Sequence, residues 1–276
     1  MNRNPLVSVI VTTYNRKELL KETIDSITNQ TFENFELIVI DNFSDYDLFK
    51  YVESFKDSRI RPYQNRNNGI IAVNRNYGIR KAKGKYIAFC DDDDCWLPHK
   101  LETQINKLLH SKNSMIFSMH KKFGDISIFS NNYGINPLPF RVNTSPEALL
   151  RTNCIPLSTV LIEKDSLYKI GLFDERKSFI AIEDNEIWIR ASKKLEIDFI
   201  PEILVLHRVH NYSIYNDAKN INEGKKEIWS IHGNSSELET ISGMKQNVFY
   251  FYFRNLFKLI YEILFFSSTY VKENKL

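Results

Sequence analysis

Four consecutive carboxylates, Asp91 to Asp94, follow the apolar run Tyr86–Cys90 and precede Cys95-Trp96. At a separation of about 5 Å and an effective dielectric near 20, each like-charged pair costs on the order of 3 kcal/mol. A chain that keeps such a cluster at the end of a core strand has something positive to set against it. A solvated loop is the ordinary reading of an acidic run, but this one contains no lysine or arginine and is joined to a strand that reads as buried. Closely set carboxylates in that position suit Mg2+ or Mn2+, hard cations that take one or two protein carboxylates and complete their shell with substrate phosphates and water. The chemistry therefore implies a phosphorylated ligand.

The elements that must place these aspartates read as alternating strands and helices. Leu6 to Val11 is a β-branched, strand-length run, and KELLKETIDSITNQ puts Leu19, Leu20, Ile24 and Ile27 on one helical face. Leu37 to Ile40 forms a second strand, RIRPY a short third broken by Pro62, and GIIAVNRNYGIRKAK a helix that exits at Gly84. KYIAFC is a fourth strand, and PHKLETQINKLLH a helix with Pro98 in its first turn. This order predicts βαβ units and a parallel sheet covered on both faces, with ligands bound beyond the carboxyl ends of the strands. Three polar clusters fall on that edge: Thr12-Thr13-Tyr14-Asn15, Asp41-Asn42 and Asp91–Asp94. From Ser114 to about Leu150 the pattern is irregular, with short strands SMIFSM and DISIFS. Beyond it, LSTVLIEKDSLYKIGLFDE returns to strand, helix and turn, and AIEDNEIWIRASKK reads as a helix with Ile187, Trp188 and Ala191 inward.

The run VSVIVTTYNR, IDSITNQTFENFELIVIDNFS and NRNYGIRKAKGKYIAFCDDDDCWLPHKLE resembles the inverting glycosyltransferases of family 2. The resemblance is strong over residues 5–110 and resumes in GLFDE, IEDNEIWIR and LHRVHNYS. It implies an α/β protein of the GT-A fold, with a mostly parallel central sheet and flanking helices. It also implies a nucleotide-diphosphate sugar donor, a Mn2+ or Mg2+ ion, and a glycan or lipid-linked acceptor. On this resemblance Thr12, Thr13 and Tyr14 line the nucleoside pocket. The acidic pair after the second strand, which gives a carboxylate to a pyrimidine N–H, is here Asp41-Asn42. The asparagine at the second position accepts a hydrogen bond without charge, leaving uracil as the first choice of base and thymine and guanine open. Asp91 and Asp93 match the D-x-D motif: Asp93 as metal ligand, Asp91 holding the ribose or reaching the metal, and Asp92 as the variable position able to substitute. Arg75 supports the diphosphate or the aspartate cluster.

Inverting transfer needs a carboxylate to take the acceptor's proton and a cation to hold the departing diphosphate. The family's E-D motif falls on Glu183-Asp184, with Asp184 as base, ionised at neutral pH at an ordinary aspartate pKa near 3.9, and Glu183 orienting it or touching the acceptor. Arg208 and His210 in LHRVHNYS match a late motif that faces the diphosphate or completes the metal shell. Trp96 and Trp188 are either sugar-stacking rings or core.

Composition sets the remaining bounds. The chain has 276 residues, 43% hydrophobic and 26% charged, a soluble globular balance. A net charge of +3 gives no nucleic-acid footprint. Cys90, Cys95 and Cys154 have no metal-ligand spacing and read as reduced thiols, which points to the cytoplasm. The N-terminal residues lack the layout of a signal peptide. Residues 1–215 are expected to form the catalytic domain, and 216–243 a polar linker or loosely packed helical region. Residues 244–276 read as an aromatic amphipathic helix. Arg254, Lys258 and Glu262 recur every four residues there, leaving a wide aromatic face for a membrane surface, here the inner face of the cell membrane, or for a second copy of the chain. Two rivals stand beside this reading: an inactive glycan-binding or scaffold subunit of the same fold, and an aspartate-dependent phosphohydrolase. The second expects its motif at the first strand rather than the fourth.

Overall fold

The computed structural model describes residues 4–125, 135–136, 142–210 and 218–233. The first strand, β1 (Val7–Thr13), is buried along its whole length, as is β2 (Phe35–Asp41). Successive residues in a strand face opposite ways, so both faces must be covered. Ile10, Ile38 and Ile40 enter one apolar cluster, and Val9, Val11, Leu37 and Val39 the other. The second cluster is closed by α1 (Lys17–Thr28), through Leu20, Ile24 and Ile27, by the short α2 (Leu48–Glu53), and by α4 (Lys100–Leu109). The first cluster is closed by α3 (Ile71–Lys81), α5 (Pro146–Arg151) and α7 (Glu183–Ser192). Gly84, after α3, lies so close to β1 that a Cβ there would sit 2.5 Å from the Ser8 nitrogen, which fixes glycine at that crossing.

Strands β3 (Ile60–Gln64), β2, β1 and β4 (Tyr86–Asp91) run parallel in that order. The short β8 (Leu161–Glu163) is antiparallel to β4 and to β6 (Met115–Gly124). Next come β9 (Ile197–Val209), parallel to β6, and β5 (Cys95–Trp96), antiparallel to β9; β7 (Ile135–Asn136) pairs with β6 off this path. The sheet is the expected α/β arrangement, mostly parallel with flanking helices. The stretch read as two short strands begins as one ten-residue strand, β6, and DISIFS beyond Asp125 lies outside the described residues. Where β6 meets β9 the register slips between Ser118 and Met119, opposite Pro201 and Glu202. Proline has no N–H for the ladder, so the pairing bulges there.

Two further helices complete the described chain, α6 (Lys164–Ile170) and α8 (Ala218–His232). Over the range read as linker or loosely packed helix, α8 is docked: Ile228 and Trp229 enter the core cluster. No helix among the described residues is long and apolar enough to cross a membrane. The segment 244–276 lies outside the described residues.

Candidate active site

The parallel strands deliver the three polar clusters to one edge, as their register requires. Thr12 pairs with Asp91, Thr13 with Asp41, and Asp41 with Gln64. The four aspartates form a tight turn between β4 and β5, closed by Asp94 N–H donating to the Asp91 carbonyl (3.2 Å). The turn resolves the repulsion by sending alternate carboxylates to opposite sides.

Asp92 and Asp94 point inward. Asp92 accepts from Thr13 Oγ1 at 2.8 Å and from Arg16 Nη1 at 3.1 Å, and burial pushes its pKa up to about 7 despite that arginine. Asp94, fully buried, accepts from Ser158 Oγ at 2.6 Å and from the Arg208 backbone N–H at 2.9 Å, with His207 Nδ1 3.1 Å away. Burial works against charge on His207, but the Asp94 carboxylate outweighs it and raises its pKa to about 9. Asp91 and Asp93 face outward, their side chains 32% and 13% exposed. This alternation places the D-x-D pair on the cleft side and makes Asp92 a brace rather than a ligand-facing group.

Asp93 Oδ2 lies 2.9 Å from both Arg16 Nη1 and His210 Nε2. A carboxylate oxygen beside an imidazole, both partly open, fits two positions of a Mn2+ or Mg2+ shell. Asp91 is instead held by Arg75 Nη2 at 2.9 Å. Among the described residues no three His, Cys, Asp or Glu side chains form a ready-made cage.

Arg75 is buried and pairs with Asp91 and with Glu183, so it supports the acidic cluster rather than standing free for a diphosphate. That pairing joins the D-x-D turn to the first turn of α7. There the positive end of the helix favours carboxylates, and both Glu183 and Asp184 are buried. Asp184 accepts from Asn153 Nδ2 at 2.8 Å and from the Asn185 N–H at 2.7 Å. Burial, reinforced by Glu183 and opposed by Arg75, lifts its pKa to about 7. The expectation of an ordinary, always-ionised aspartate is corrected: desolvation holds the Asp184 carboxyl near neutrality. Ala181, just ahead of it, holds the left-handed conformation at φ 69°, strain that packing must maintain.

Beside Asp41-Asn42 a small cavity of about 260 Å³ is lined by Tyr14, Asn42, Phe43, Arg66 and Asn68. Tyr14 and Phe43 are about half exposed, and the Arg66 guanidinium lies 4.9 Å from the Phe43 ring centre. Asn15, Phe43 and Asn68 all take positive φ, at 52°, 60° and 51°. Of the residues expected to line a nucleoside pocket, Tyr14 and Asn42 line this cavity. Thr12, Thr13 and Asp41 stand behind it: Thr13 donates to Asp92, and Asp41, fully buried, accepts from Ser44 Oγ at 2.5 Å and from Gln64 Nε2 at 3.1 Å. Asn42 Oδ1 accepts from the Asn67 N–H at 2.9 Å.

Arg208 is spent on the protein: Nε donates to the Asp93 carbonyl at 2.9 Å, Nη2 to Glu22 at 2.5 Å, and its plane covers Phe123. Trp96 and Trp188 are buried at 3% and 0% exposure, the first donating Nε1 to the Ser158 carbonyl. Both are core, which removes them as sugar-stacking rings. Sequence reasoning missed Arg16, Phe43, Arg66, Asn153, Ser158 and His207. Arg16 directly follows the polar end of the first strand and Phe43 directly follows Asp41-Asn42; the others arrive from distant segments.

The chain matches Glycosyl transferase family 2 over residues 8–171. It is 33% identical over 196 residues to the UDP-Glc:alpha-D-GlcNAc-diphosphoundecaprenol beta-1,3-glucosyltransferase WfgD of Escherichia coli, covering 71% of this chain and 73% of that one. Among solved structures it resembles S. aureus TarS 1-349 in complex with UDP-GlcNAc, with a TM-score of 0.67 at 19% identity over 81% of this chain and 65% of that one. It also resembles the mannosyltransferase PcManGT from Pyrobaculum calidifontis in complex with GDP-Man and Mn2+, with a TM-score of 0.60 at 16% identity over 83% and 64% of the two chains. The fold is that of the GT-A transferases, which sets aside the phosphohydrolase reading. The chain belongs to glycosyl transferase family 2 and is a glycosyltransferase.

Proposed function

We propose that this enzyme transfers a sugar, with inversion, from a UDP-sugar to a hydroxyl of a lipid-linked oligosaccharide or growing surface glycan. The observation that carries the reading is the Arg75 bridge. It ties the outward D-x-D carboxylate Asp91 to Glu183, the neighbour of a buried, near-neutral Asp184. A donor-diphosphate side and a proton-accepting side are thereby fixed to each other. Asp184 receives the acceptor hydroxyl's proton as the oxygen bonds the anomeric carbon and the bond to the diphosphate breaks on the opposite face. Asp93 and His210 would hold the divalent cation, with Asp91 beside them. The cation supplies charge for the departing diphosphate. Arg16, 2.9 Å from Asp93, adds a second positive group there.

A uracil ring suits the cavity at Tyr14. Its lining offers an arginine and two carboxamides but no carboxylate, favouring a base edge rich in carbonyls over guanine, which presents an N–H and an amino group. A lipid-linked acceptor is that of the E. coli relative WfgD, and it agrees with the aromatic amphipathic pattern of 244–276 at the inner membrane face. The domain reading is then catalytic residues 1–215, α8 in the middle segment, and a membrane-contacting 244–276.

A thermal-shift panel of UDP, dTDP, GDP and CMP with and without Mn2+ tests the donor side. UDP with Mn2+ is expected to give the largest stabilisation; equal shifts for all four, or none dependent on metal, would contradict it.

A further inference from the structure

Helix α8 grips the surroundings of Asp184 at three points. At Gly224 the helix backbone lies against the turn 177–182 that delivers Glu183-Asp184: a Cβ would run into the Ser178 carbonyl oxygen and approach Ile182 Cδ1 to 2.5 Å. Trp229, 9% exposed, donates Nε1 to the Leu150 carbonyl at 3.1 Å. Three residues beyond Leu150 stands Asn153, whose amide holds Asp184 Oδ2. His232 Nε2 lies 3.0 Å from Glu186 Oε1 on α7, and Lys193 Nζ donates to the His232 carbonyl at 3.2 Å. The turn before the carboxylate, the segment supplying its hydrogen-bond donor, and the helix that carries it are each tied to one element. The gripped turn includes Ala181 at φ 69°, a conformation that persists only when its surroundings enforce it. None of these α8 groups reaches Asp184; they act through its neighbours.

We propose that α8 is a positioning element for the catalytic carboxylate, with Gly224, Trp229 and His232 fixing where the acceptor's proton is received. The proposal rests on the reading of Asp184 as base. It makes residues 218–233 part of the catalytic unit rather than a tether between the sheet and the C-terminal segment.

The test uses the full chain with UDP-glucose and Mn2+ as donor and a short-prenyl diphospho-N-acetylglucosamine as acceptor. Gly224→Ala favours helix yet pushes the helix off Ser178, and Trp229→Phe keeps the ring while removing the donor to Leu150. Each is expected to lower kcat about ten- to hundredfold, the cost of misplacing a catalytic group by a fraction of an ångström to an ångström, while UDP affinity stays within twofold. The acid limb of kcat should move to lower pH as Asp184 gains water. The charged groups facing Asp184 are Glu183 from α7, Arg75 from α3 and Asp91 from β4, and neither substitution alters them. Trp229→Phe carries the test alone if Gly224→Ala fails to fold. Unchanged kcat and an unmoved limb in the folded variants would overturn the proposal, as would an equal loss of UDP affinity. If the wild type turns over no such pair, the proposed donor and acceptor fail separately. The 13C titration of the Asp184 carboxyl then still decides, an unmoved midpoint in the variants refuting the positioning role.

Discussion

Replacing Asp184 by Asn removes the proposed base while keeping its shape, and the burial of Asp184 sets what should change with pH. With a pKa of about 7, Asp184 is ionised to about a tenth at pH 6, about half at pH 7 and about nine-tenths at pH 8. Wild-type kcat should therefore climb roughly ninefold from pH 6 to pH 8. Asp184→Asn should lose about 10²–10⁴-fold in kcat, flatten that limb and leave UDP affinity within twofold. Stability supplies a second readout. The folded pKa lies above the unfolded value of 3.8, so the folded state binds the proton more tightly. Its stability falls as pH rises from about 4 to about 7. A displacement of about three units sets a ceiling of about 4 kcal/mol on that fall. The gain from Asp184→Asn at pH 8 stays below the ceiling because Asn153 loses a charged acceptor. Stopped-time assays of UDP release and urea melts at pH 5 and pH 8 read the two effects. A flat wild-type profile between pH 6 and pH 8, or a variant retaining a tenth of wild-type kcat, would refute the assignment.

Three further outcomes rest on the same geometry. Asp93→Ala should abolish metal-dependent nucleotide binding in calorimetry, whereas Asp91→Ala, losing a group paired to Arg75, should weaken it less; equal effects would contradict the ligand assignment. Arg66→Ala and Phe43→Ala should each weaken UDP binding and narrow its preference over CDP, because the guanidinium and ring line the cavity proposed for the base; an unchanged preference would move the base elsewhere. Lys100 is fully buried, 3.9 Å over the Trp96 ring, and burial lowers its pKa to about 7. Its folded pKa is below the unfolded one, so stability should rise with pH between about 7 and about 10.5, and Lys100→Met should remove that rise in thermal melts.

The strands and the edge they share are legible in the sequence because a strand buried on both faces must read as a continuous apolar run. β1, β2 and β4 do so, and their polar ends meet through the parallel register. The D-x-D pair and the Glu183-Asp184 pair are legible by their order along the chain. The partners are not. Asp94 is held by Ser158 and His207, 64 and 113 residues away, and Asp184 by Asn153. Those contacts exist only once β8, β9 and α5 have packed, and no local pattern announces them. The same holds for side-chain direction. Thr13 and Asp41 carry suitable groups at the right edge, but hydrogen bonds to Asp92, Ser44 and Gln64 consume them, leaving Phe43 and Arg66 to line the cavity. Asp184 read as an ordinary carboxylate because burial, the cause of its raised pKa, is a tertiary property. Tryptophans near a cleft read equally as core or as sugar platforms, and packing under Lys100 and against Phe173 decides for core.

The central claim is inverting transfer from a UDP-sugar by a base on α7. Its most direct test follows the anomeric proton by NMR during turnover of UDP-α-glucose with Mn2+ and a short-prenyl diphospho-N-acetylglucosamine acceptor. A β-linked product with a large anomeric coupling is expected from the wild type and should be lost with Asp184→Asn. An α-linked product, or a β-linked product formed at undiminished rate by Asp184→Asn, would contradict it.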